Sequence, residues 1–447
     1  MDSIGRHLTA DSAFAWFPLV QRPRPPGLPL EARVRQLREL AAQPRDSDRI
    51  TRAAEVCNKA ALIASDCGLP ELARALCWRQ HEVFDQARPL PASAATLALQ
   101  PVLNLPRQLI REGDNDGAYA MLQSLYHAAR DRTHAVIDGR SVNLRNVTCA
   151  PDDHKTICTL VWAALLADGA RALARAGRWW DAAERAAAHR GVGVRLLDGR
   201  QVTILALAQN GQADQAAALV EQSTTTEPWE QAVQSLLRIH CQRADGADIE
   251  RHIAAMLTTV LTLLQQSDPS TAVFRTRVGV IALDLASIHG APQLSQLRAA
   301  LIATAYSDTY AARDVLAHPL PRQAMTAGQH RDLAELAHQA GSAAEPDHCA
   351  GASAGPAVAP PVDGVIEQQQ VQHCTDLVQH RADPIGGAGS GLRGVVQDPA
   401  QELTDEPMAG LIDGPVGVGH GSHSGIIEIR ARARRRRGIV RAGWIGD

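Results

Sequence analysis

The stretch AGRWWDAAERAA, residues 176–187, sets a glycine (Gly177) five positions ahead of an alanine (Ala182), with Trp179 and Trp180 between them. The same frame recurs elsewhere in the chain. ASDCGLPELARAL carries Gly68 and Ala73, LIREGDNDGAYAML carries Gly113 and Ala118, and LAQNGQADQAAALV carries Gly211 and Ala216. Each copy reads as helix, glycine, short polar turn, alanine, helix. Glycine ends the first helix because it enters the left-handed region without a Cβ clash. Alanine is small enough to let the second helix close on the first. The unit is a helical hairpin, and it is repeated.

Composition agrees with helices. Apolar residues make up 45% of the 447 and aromatics only 3%. Ala and Leu favour helices, whereas sheets draw on Tyr, Phe and Ile. The formal net charge is −3, which gives no electrostatic ground for a nucleic-acid or membrane partner. Lysine occurs only at Lys59 and Lys155. A GC-rich coding bias accounts for the arginine excess, so that excess is no sign of a phosphate site.

Helical patterning runs from about residue 31 to about 340. Ile249, Ile253, Met256, Leu257, Val260, Leu261 and Leu264 form one apolar stripe, and Ala232, Val233, Leu236, Leu237 and His240 form another. Gly290 and Ser295 suggest a fifth turn. Ahead of this region, residues 1–30 hold QRPRPPGLPL (21–30), whose prolines forbid a regular helix and predict an extended leader. Pro101 and Pro106 are expected to kink or split their helix. Residues 131–155, DRTHAVIDGRSVNLRNVTCAPDDHK, interrupt the array. Asp138-Gly139 is a favoured two-residue turn, so a short β-hairpin or ordered loop is expected there.

From about residue 341 to residue 447 the composition shifts to Gly, Pro, His and Gln, and it includes RARARRRRG (430–438). Two readings stand open for this part: a disordered tail, or GC-rich DNA translated out of frame.

The glycine spacings are 45, 64 and 34, the last being the period of tetratricopeptide repeats. With a small residue five positions after each glycine, and Trp179 and Tyr119 loosely at the aromatic position, residues 46–225 resemble a degenerate tetratricopeptide array. The resemblance implies an all-α solenoid of helical hairpins in which each repeat covers its neighbour. The chain is also similar to actinobacterial helical-repeat proteins and to the sensor halves of actinobacterial regulators. That similarity implies partner binding in a regulatory role, without the DNA-binding domain many such regulators carry.

Chemistry-bearing motifs are sparse. CAPDDHKTIC offers Cys149, Asp152, Asp153, His154 and Cys158, but the spacing matches no zinc motif. Asp152 and Asp153 read better as helix-start residues. No GxSxG, HExxH, GxxxxGK[ST] or GxGxxG stands in a usable context, and the eight cysteines contain no CxxC pair. The sequence therefore predicts no catalytic residue, metal or cofactor. It predicts a groove for a protein or peptide partner, lined by Trp78, Arg79, Asn104 and Arg107. No secretory signal or membrane-length apolar run is visible, and a reduced, cytoplasmic setting is expected. The alternatives are an all-helical enzyme with its site near residues 131–158, or a regulator acting through nucleic acid.

Overall fold

Five helices end in the same knot of backbone hydrogen bonds, and that knot organises the molecule. The computed structural model describes residues 16–42, 49–241, 247–291 and 293–340. The region after residue 340, with its arginine run, and the first fifteen residues of the leader lie outside the described residues.

Helices α1 (Leu30–Ala42), α2 (Arg49–Asp66), α3 (Pro70–Asp85), α4 (Ala92–Glu112) and α5 (Asn115–Arg130) precede a two-stranded hairpin of β1 (His134–Ile137) and β2 (Arg140–Asn143). Then follow α6 (Pro151–Arg175), α7 (Trp179–Ala188), α8 (Asp198–Gln209), α9 (Ala213–Glu221), α10 (Pro228–Cys241) and α11 (Ala247–Leu264). A 3₁₀ turn (Pro269–Thr271) leads into α12 (Ala272–Ile288), α13 (Leu294–Ala305), α14 (Thr309–Ala317), α15 (Pro319–Gln323) and α16 (Ala327–His338).

Gly68, Gly113, Gly177, Gly211 and Gly290 have φ of 70°, 87°, 72°, 76° and 64°. After each glycine, the next N–H reaches back five residues. Leu69 donates to the Ala64 carbonyl, Asp114 to Leu109, Arg178 to Leu173, Gln212 to Leu207 and Ala291 to Ala286. This arrangement satisfies carbonyls that a helix end otherwise leaves orphaned. Ala73, Ala118, Ala182 and Ala216 are all buried, so the small residue sits where the second helix closes on the first. At the fifth turn the frame fails in one respect: Ser295 is exposed, and Leu297 takes the buried place.

Successive helices from α1 to α15 pack in order, and α16 packs back on α14. In addition, α2 packs on α4, α4 on α6, α6 on α8, α10 on α12 and α12 on α14. The even-numbered helices thus form a row made of two runs, α2 to α8 and α10 to α16. The two runs are linked by Arg195, in the loop before α8, whose Nε donates to Glu230 Oε1 of α10 at 2.9 Å and whose backbone bridges Thr224.

The apolar stripe of α11 is buried at Ile249, Ile253, Met256, Leu257, Val260 and Leu264, with Leu263 joining it and Leu261 only half-buried. Helix α4 continues unbroken through Pro101 and Pro106, so the expected split is absent. The interruption is a β-hairpin turned at Asp138 and Gly139, both with positive φ (50° and 72°). It is shorter than expected, because α6 already starts at Pro151. Helix α6 is also long and apolar enough to cross a membrane by composition, with a mean hydropathy of 1.5 over an 18-residue window. Of that window, 56% is buried, against α4, α5, α7 and α8.

Candidate functional site

The leader is the unexpected element. Trp16–Pro29 forms neither helix nor strand, yet Phe17 and Leu19 are buried at 0% and 4% exposure. An apolar extended segment gains by covering Phe17 and Leu19, but its backbone then needs partners away from water. The row of even helices supplies them.

Gln201 of α8, fully buried, holds Leu19 at both ends of its backbone. The Leu19 N–H donates to Gln201 Oε1, and Gln201 Nε2 donates to the Leu19 carbonyl, both at 2.7 Å. The Arg24 N–H donates to the Ser270 carbonyl at 3.1 Å, and the Thr309 N–H donates to the Gly27 carbonyl at 2.8 Å. Buried Asp308 caps α14 by accepting from Tyr310 and Ala311, and it accepts a third N–H, from Gly27, at 2.5 Å. A Cβ on Gly27 would intrude on Tyr310, Thr309 and Asp308.

Side chains extend the same pattern. Arg22 pairs bidentately with Asp198 at the start of α8. Trp16 lies near the Arg277 guanidinium and the His318 ring. Arg24 stacks 4.1 Å from the centroid of the Tyr310 ring. Helices α14 and α2 of the row also meet, since the Tyr310 hydroxyl donates to Asp66 at the end of α2. Asp66 in addition accepts from Arg33 at 2.6 Å and from Arg111 at 3.3 Å.

Charge on this face is dense and mostly paired. Asp168 of α6 is buried, which opposes its ionisation; Arg107, Arg171 and Arg22 nevertheless hold its carboxyl below the usual carboxylate range. Arg277 donates to Asp314 at 2.8 Å. Arg24 differs. Burial lowers its pKa and outweighs the nearby Tyr310 and Asp308, which favour the charge; Arg277 and Arg111 add to the lowering, and among the described residues no carboxylate hydrogen-bonds it.

Of the four residues singled out from sequence, two reach this face. Asn104 and Arg107 of α4 are joined by an Arg107 Nη1 to Asn104 Oδ1 bond of 3.0 Å, and Arg107 Nε donates to Asp168 at 2.8 Å. Asn104 also donates to Asn58 of α2, which donates to Gln100, each at 3.3 Å. Trp78 is buried on α3 instead. Its Nε1 donates to Asp138 in the hairpin turn at 3.0 Å, and Arg140 covers its ring. Trp78 thus anchors the insertion. Arg79, on the same helix, is half-buried.

The residues that sequence reasoning missed are Asp66, Asp168, Asp198, Gln201 and Tyr310. A signal for some of them exists: Asp168 is a lone carboxylate in the apolar run ALLADGARAL, where an unpaired charge is costly.

The insertion offers less chemistry. Cys158 Sγ and His154 Nε2 are 3.3 Å apart on α6. Burial pushes the thiol up and the imidazole down, which favours the neutral pair over a thiolate–imidazolium couple. Among the described residues no three His, Cys, Asp or Glu side chains gather as a metal site.

No family model matches the chain, nor does any curated protein or solved structure. The functional reading therefore rests on the molecule's own geometry.

Proposed function

We propose that the protein is a tetratricopeptide-like helical-repeat scaffold that does no covalent chemistry and binds an extended segment of a partner protein along the row of even-numbered helices. One observation carries this reading: the row already holds an extended, proline-rich segment, burying Phe17, Leu19 and Gly27 and gripping its backbone through Gln201 and Asp308. Recognition through main-chain groups suits a peptide that brings no secondary structure of its own. Recurrent glycine-ended hairpins, each packed on its neighbours, support the repeat assignment.

A regulatory role in the cytoplasm belongs to the same proposal. The six described cysteines, Cys57, Cys67, Cys77, Cys149, Cys158 and Cys241, are all free, as suits a reducing compartment.

The test is site-specific photo-crosslinking in the native host. A benzophenone amino acid replaces Asn104 on the row, or the exposed Trp180 on α7 as control. Cross-links from position 104 to extended segments of another protein, absent from position 180, are the expected result. No cross-links at 104, or the same ones from both positions, would refute the scaffold reading.

A further inference from the structure

The leader occupies the surface that the scaffold reading assigns to a partner, and its fit identifies what the partner must offer. Three of its features are well matched. Leu19 is gripped at both backbone groups by Gln201, Arg22 neutralises Asp198, whose side chain is only 7% exposed, and Gly27 lies flush against Tyr310 and Thr309. Two features are poorly matched. The Arg24 guanidinium has an aromatic ring and the field of Asp308 but no carboxylate hydrogen bond, and Gln21 Oε1 is buried with no hydrogen-bond partner among the described residues. Burying polar groups without compensation weakens the segment's hold.

Withdrawing the leader would strip Asp198 of Arg22, the cation that hydrogen-bonds it, and would strip Gln201 of both Leu19 bonds. A replacement must restore both. It has to be an extended backbone with an apolar residue at the Leu19 position and a guanidinium three residues later, since Arg meets a carboxylate bidentately where Lys cannot.

We propose that the leader is a built-in occupant of the groove, displaced by a partner segment that presents an apolar residue three positions ahead of an arginine. This rests on the scaffold reading and adds the ligand class and the competition. A tethered segment competes at a high effective concentration, so an incoming peptide meets a groove that is filled at rest.

The test uses the full chain and a fluorescein-labelled peptide, WFPLVQRPRPPGLP, copied from residues 16–29. Fluorescence anisotropy compares the wild-type chain with the R22A chain, whose groove residues are untouched but whose leader is loosened. The R22A chain is expected to bind the peptide at least about tenfold more tightly than wild type. A peptide with alanine at the Arg22 position is expected to lose about tenfold on that chain, and D198N in the R22A chain to erase the difference between the two peptides. Equal binding to both chains, or equal binding of both peptides, would overturn the proposal while leaving the groove itself intact. No binding by any chain would overturn the groove reading together with it.

Should R22A fail to fold, hydrogen exchange on the wild-type chain decides. With excess peptide, the amides of Leu19, Arg24 and Gly27 are expected to exchange faster, and unchanged exchange would refute displacement. Sedimentation completes the set. Peptide bound to monomers is expected, whereas leaders exchanged within dimers in place of peptide binding would refute the partner assignment.

Discussion

Tyr310 donates its hydroxyl hydrogen to Asp66, a residue 244 positions earlier in the chain. Through this bond α14 meets α2 across the leader, and Arg33 and Arg111 fix the same carboxylate from two further helices. The Tyr310 ring meanwhile carries Arg24 on its face.

Tyr310→Phe keeps the ring and removes the bond. A hydrogen bond to a charged acceptor contributes about 1.5–3 kcal/mol, so the variant is expected to lose about 2 kcal/mol in urea unfolding. Stability equal to wild type would show that the α2–α14 contact contributes nothing.

Gly27→Ala tests the leader's fit. A Cβ there meets Asp308, Thr309 and Tyr310, and Asp308 and Tyr310 are bonded to each other, so overpacking of this kind costs about 1–3 kcal/mol. Gly177→Ala is the control. It has open space around it but a φ of +72°, so only the left-handed backbone penalty of about 1 kcal/mol applies. Only Gly27→Ala should also shift the fluorescence maximum towards the red, as Trp16 leaves its place beside Arg277 and His318.

The pH dependence has two limbs of opposite sign. Asp168 is held below its ordinary pKa of about 3.9. Its contribution is therefore full above that value and is lost as pH falls through the lower folded pKa. Asp168→Asn is expected to flatten the acid limb of a thermal-unfolding profile. Tyr310 is pushed up to about 12, chiefly by burial and by the Asp66 charge. Its contribution is full below the ordinary tyrosine value of about 10 and is lost as pH rises through the folded one. The stability gap between wild type and Tyr310→Phe should shrink across that interval. A constant gap would contradict the assignment.

Trp78→Phe removes the Nε1 bond to Asp138 and reduces the surface under Arg140. The hairpin should become the first site of limited proteolysis, between residues 131 and 147, while the helices stay protected. Unchanged cleavage would mean that Val142 and Ile137, both fully buried, hold the hairpin alone.

Much of the helical framework was legible because its signals are local. The left-handed glycine and the closing alanine lie within six residues of each other, and Asp138-Gly139 dictates its own turn. The leader's extended form was equally local, written in its prolines. Its burial was not legible, because nothing near Leu19 indicates that Gln201 will grip it 182 residues later. Trp78 illustrates the same limit. An aromatic on a helix faces a groove or a core according to what the rest of the chain lays over it, here the turn at Asp138. Of the polar residues on α4, Asn104 and Arg107 could be picked out by type alone, whereas Asp168, the carboxylate partner of Arg107, depends on how α4 meets α6.

The leader leaves the ribosome before any of the residues that hold it. Phe17 and Leu19 must stay uncovered until Gln201 has been made, and Gly27 must wait for Asp308, 281 positions on. Contacts so distant in sequence form late and slowly. During synthesis the nascent chain thus displays two uncovered apolar side chains for most of its elongation, a natural point of engagement for a chaperone and a source of aggregation when elongation stalls.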